Sequence, residues 1–135
     1  MTTNRNALPL RPILMLDAAA CIVMGLGFVA LAGPIGALTD LPVGFTRIAG
    51  LLLLPVAAFI LLVATRREIP AAGVAVVVIG NVGWVLASLA VALGGLVEAN
   101  AAGTALIVVQ AAAVAAIAAL EHAARPGRST LSSAA

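Results

Sequence analysis

Charge is what this sequence has least of. Asp, Glu, Lys and Arg make up 9% of its 135 residues, where a water-soluble domain carries about a quarter. Too few charges are present to cover a surface of this size, so water is not the main solvent of the chain. Lysine and tyrosine are absent, and aromatic residues reach only 3%. The isoelectric point near 10.1 comes entirely from arginine. Without a basic surface interleaved with aromatic rings, nothing is suited to holding a nucleic acid. A single cysteine, Cys21, excludes an intramolecular disulfide. Cys21 and His122 are the only soft metal ligands and lie far apart in sequence, so no metal site is expected. No Ser/His/Asp set and no phosphate-binding glycine loop is present. The expectation is a chain with no catalytic site and no cofactor.

Apolar residues make up 64% of the sequence, and mean hydropathy is +1.23. They fall into four runs, at about 13–32, 45–65, 71–96 and 101–123, each long enough to cross a bilayer as a helix. Such runs satisfy their own backbone in lipid. The expected fold is therefore all-α, an integral membrane four-helix bundle over residues 13–123. A polar arm, 1–12, precedes it, with Pro9 and Pro12 opposing an early helix start. Gly33-Pro34 is expected to end the first helix and 35–44 to form a loop. A tail over 124–135, rich in small and polar residues, is expected to be disordered.

The arginines orient the bundle. Arg5 and Arg11 lie in the arm, Arg66 and Arg67 in the second connection, and Arg125 and Arg128 in the tail, against Arg47 alone on the other side. Six against one places both termini inside, N-in and C-in. Ala30-Leu31-Ala32 could serve as a signal-peptide cleavage site, but the first apolar run is too long for such a signal and contains Asp17. The first helix is expected to be retained.

Within the third run, Gly73, Gly80, Ala87 and Gly94 recur every seven residues, with Gly83 beside them. This stripe is expected to pack closely against another helix or subunit, while Val77 faces lipid. Asn81, Gln110 and Pro55 each lie nine or ten residues into their runs, about 15 Å deep. Pro55 deprives the Leu51 carbonyl of its helical donor. Asn81, Trp84, Ser88, Gln110 and Pro55 thus form a candidate midplane layer, structural or ligand-binding, with Asn81 and Gln110 bonding each other or that carbonyl. Asp17, Glu121, His122, Arg66 and Arg67 form a candidate charge cluster at the cytoplasmic end, either locking helix ends or relaying protons. Glu121 and Arg125 have the i,i+4 spacing of a helical ion pair. On the opposite side Arg47 could pair with Asp40 or Glu98.

The motifs Leu16-Asp17-Ala18, Arg47-x-x-Gly50, Leu53-Leu54-Pro55-x-Ala57, Asn81-x-x-Trp84 with Ser88, Gln110-Ala111 and Leu120-Glu121 resemble those of small four-helix proteins of the bacterial inner membrane. The resemblance implies a multi-pass protein of the bacterial cytoplasmic membrane and no particular reaction. In size, helix number and an acid in the first helix, the chain is also similar to small multidrug-resistance transporters. It departs from them in having Asp near the boundary instead of a deeper Glu, and in lacking an aromatic-rich pocket. The leading expectation is a structural or accessory protein with the lipid bilayer as solvent, packed with itself as a homo-oligomer or with a larger membrane partner. The alternative is a small proton-coupled transporter or channel-like oligomer using Asp17 or the Asn81/Gln110 layer.

Overall fold

A computed structural model describes residues 8–125. Expectations for 1–7 and 126–135, including most of the tail, lie outside the described residues. The described chain is all-helical: α1 (Leu10–Ala30), α2 (Ala32–Thr39), α3 (Val43–Ala64), α4 (Ala71–Gly94) and α5 (Ala101–Ala123). All but α2 are long and apolar enough to cross a membrane.

Two boundaries differ from expectation, both because of proline. Pro12 is the third residue of α1, where its missing N–H is one that a helix leaves unbonded anyway. The helix therefore starts at Leu10, after Pro9. Pro34 has the same place in α2, so Gly33-Pro34 does not end the helical path. Leu31 breaks the helix only briefly, and residues expected as loop continue helically to Thr39. Asp40 then takes a left-handed conformation (φ 57°), and Gly95 (φ 62°) does the same after α4, where its lack of Cβ suits the turn.

Asn100 joins the end of α2 to the start of α5. Its Oδ1 accepts from Gly103 N at 3.0 Å, capping α5. Its Nδ2 donates to the Leu38 carbonyl at 2.9 Å, and its own N–H donates to the Thr39 carbonyl at 2.9 Å. Gly103 sits so close to Thr39 that an added Cβ would come within 2.5 Å of that carbonyl oxygen. Asn100→Ala is expected to lose the cap and the Leu38 bond and to destabilise the protein by about 1–2 kcal/mol. Thermal unfolding in detergent measures this; an unchanged midpoint would count against the clamp.

Packing divides the bundle into two pairs. α1 lies along α3 and α4 along α5, while α1 and α5 join the pairs and α3 barely touches α4. The core holds Leu14 and Ala18 of α1, Leu53, Ala57 and Ile60 of α3, and Val74 and Val77 of α4. Val77 is thus buried and does not face outward, contrary to expectation. Large apolar side chains cover the outside instead, among them Val23, Leu52, Leu62, Ile79, Leu86 and Val109.

Among the described residues the glycine stripe of α4 is not a close contact over most of its length. A Cβ at Gly80 or Gly83 would meet nothing within 4 Å, and one at Gly94 would meet only Leu96 of its own turn. Ala87 lines a cavity. Only Gly73 is crowded, by Val63. A seven-residue period establishes that a face is smooth but does not say what lies against it. Among the long helices the close contact is between Gly25 of α1 and Gly50 of α3, where backbone meets backbone.

Candidate functional site

Asp17, Asn81 and Glu121 meet in the interior of the bundle. Asp17 is 1% exposed, Asn81 5% and Glu121 0%. The early start of α1 carries Asp17 about 10 Å in from that helix's first residue. Asn81 comes from the middle of α4, and Glu121 from the last turn of α5 turned inward. The Asn81 amide spends both its hydrogens here, donating to Asp17 Oδ2 at 2.8 Å and to Glu121 Oε2 at 3.1 Å. Cys21 is one turn beyond Asp17 on the same face of α1, and its thiol points to Asp17 Oδ1 at 3.8 Å. Glu121 Oε1 is buried with no hydrogen-bond partner among the described residues.

The expected arginine partners are elsewhere. Arg11 donates to the Ala64 carbonyl and, at 3.0 Å, to the Arg66 carbonyl, tying α1 to the end of α3. Among the described residues no arginine pairs with Asp17 or Glu121, so Arg66, Arg67 and Arg125 do not lock these carboxyls. His122, the next residue, is partly exposed and belongs to the outer face, near a groove between α4 and α5. Arg47 likewise pairs with neither Asp40 nor Glu98. Two carboxyls thus share one neutral amide. Two full negative charges buried this close together would be the costliest state. A proton held between them, or a bound cation, relieves that cost.

Against Asp17 and Asn81, though not Glu121, lies a cavity of about 720 Å³ bounded by all four long helices. Its walls are mainly apolar, with Met24, Phe28, Pro55, Phe59, Trp84 and Ile117 among them, and Asp17, Asn81 and Gln110 supply polar atoms. This volume suits a small organic molecule. Pro55 lines the cavity, but neither Asn81 nor Gln110 donates to the Leu51 carbonyl.

The expected midplane layer is divided in two. Asn81 joins Asp17 and Glu121 and makes no bond to Gln110. Trp84, Gln110 and Ser88 form a second polar level further along α4. Trp84 Nε1 donates to Gln110 Oε1 at 2.8 Å, and Gln110 Nε2 donates to Ser88 Oγ and to the Ile107 carbonyl, both at 2.9 Å. Beyond this level is a second cavity of about 190 Å³, reached by Thr46, Ala49, Ala87 and Val91. Sequence reasoning missed Cys21 as a neighbour of Asp17, although the i,i+4 spacing was visible. Among the described residues, no group of three His, Cys, Asp or Glu side chains is placed to hold a metal ion. No protein-family model, curated protein or solved structure matches the chain, so the resemblance to small inner-membrane proteins rests on its short motifs alone.

Proposed function

We propose that this chain is a small multi-pass transporter of the bacterial cytoplasmic membrane, with both termini inside, that exchanges a proton at Asp17 and Glu121 as a solute occupies the central cavity. The observation that carries this reading is the buried acid pair bonded by Asn81: Asp17 and Asn81 line a solute-sized cavity, and behind them Glu121 keeps one carboxyl oxygen unpartnered among the described residues. Carboxyls inside membrane segments are expensive and are kept mainly where protons or ions pass. An accessory protein that only packs needs neither this pair nor this void. That accessory reading, in a homo-oligomer or with a larger partner, keeps one support: among the described residues nothing lies within 4 Å of a Cβ added at Gly80 or Gly83, which leaves room for another subunit.

The test is reconstitution into liposomes with an internal pH dye and a panel of cationic and neutral solutes. Solute-dependent proton flux is expected for the parent protein and its loss for Asp17→Asn. A parent protein inert toward the whole panel would return the accessory reading to first place. Orientation is tested separately in a Cys21→Ala background. A cysteine at position 68 should react from inside only; labelling from outside intact cells would reverse the topology.

A further inference from the structure

The two cavities have four lining residues in common: Phe28, Trp84, Leu106 and Gln110. They form a thin partition. On one side is the larger chamber with Asp17 and Asn81 at its base; on the other, the smaller chamber reaches Leu41, Phe45 and Thr46 near the start of α3. The chambers therefore follow one another along the bundle. We infer that Trp84 and Gln110 are the gate of a single path through this protein, closed in this structure by the bond between them. The inference rests on the transporter reading and adds to it the residues that separate the two sides.

The chemistry of the partition fits a gate better than a fixed wall. The Trp84 indole has one donor, and its acceptor is Gln110 Oε1. Gln110 in turn is steadied by Ser88 Oγ and the Ile107 carbonyl, so the acceptor is held in place while the indole is the piece that can leave. Trp84 and Gln110 are only partly buried, consistent with both facing open volume. When the bond breaks, water can accept from the indole N–H and donate to Gln110 Oε1. Opening then exchanges one hydrogen bond for another and leaves none unmet. Polar contacts inside membranes are weak enough for such exchange, and losing one shifts an open–closed balance by about three- to ten-fold. Phe28 and Leu106 fill the rest of the partition and contribute bulk only.

The experiment uses the proton as its probe, with no solute. Liposomes holding the full chain and a pH dye are given a potassium diffusion potential, and passive proton entry is followed. The parent protein should leak slowly. Gln110→Leu keeps bulk but removes the bonds to Trp84 and Ser88, and should raise the leak about three- to ten-fold. Trp84→Ala, which also removes the ring, should raise it more, and Trp84→Phe less. In every case adding Asp17→Asn should return the leak to the parent level, because the acid pair lies on the same path. Circular dichroism and elution profiles select variants that remain folded; if Gln110→Leu fails, Trp84→Phe carries the test. Folded Gln110→Leu and Trp84→Ala proteins that leak like the parent would overturn the gate. They would leave the transporter reading standing if solute-driven flux still depends on Asp17. A raised leak indifferent to Asp17→Asn would equally overturn it, since the opened route would bypass the acid pair.

Discussion

Gly50→Leu is expected to yield little or no folded protein, and Gly50→Ala a folded but clearly weakened one. The single Cβ of alanine would lie 2.6 Å from the Gly25 carbonyl oxygen, 2.8 Å from Phe28 Cβ and 3.0 Å from Val29 Cγ2. One of these is backbone and another is the rigid root of a side chain, so neither can swing away. α1 and α3 would have to separate along the most extensive contact in the bundle. Overpacking of this kind costs about 1–3 kcal/mol for modest additions, and a leucine exceeds that range. A Cβ at Gly83 meets nothing within 4 Å, so the same leucine there should be tolerated far better. Thermal unfolding and yield in detergent give the comparison. Equal midpoints for Gly50→Ala and the parent would show that the helices do not approach as described.

The second large effect is expected for Asn81→Asp, which alters one heavy atom and almost no volume. It replaces the amide that donates to both Asp17 and Glu121 with a third carboxyl. Two donated bonds vanish and a further acidic group is buried among two others. Leaving a buried acceptor unmet costs about 1–3 kcal/mol, more when charge is involved, and two acceptors are affected. The thermal midpoint at neutral pH should fall sharply. Adding Glu121→Gln should restore much of the loss, because the new amide can donate where Asn81 no longer does. Asn81→Asp as stable as the parent, or a double variant no better than the single one, would argue against the shared-amide arrangement.

The four long helices were legible because each apolar run exceeds what a bilayer needs. Their relative levels were not. Depth counted from the ends of apolar runs set Asn81 beside Gln110, as if all helices began in one plane. The structure starts α1 three residues earlier than its proline-marked beginning, and it sinks the last turn of α5 into the bundle. Asp17 and Glu121 thereby reach Asn81, and Gln110 falls level with Trp84 and Ser88 instead. The arginines misled for a related reason. Their long side chains reach backbone carbonyls at helix ends, as Arg11 does, so nearness in sequence to an acid did not make an ion pair. The short helix α2 was hidden because Gly-Pro reads as a breaker unless the proline falls in a first turn. Spacing within a single helix was an uneven signal: it would have linked Asp17 with Cys21, but the seven-residue stripe of α4 and the i,i+4 spacing of Glu121 and Arg125 brought no contact at Gly80 or Gly83 and no ion pair among the described residues.

That the buried carboxyls exchange a proton is the central claim, and infrared difference spectroscopy of the protein in lipid tests it most directly. The account predicts a carbonyl-stretch band of a protonated carboxyl that appears and disappears across a pH titration, shifts in heavy water, and is altered or lost in both Asp17→Asn and Glu121→Gln. A titration with no such band, or with a band untouched by either substitution, would contradict it.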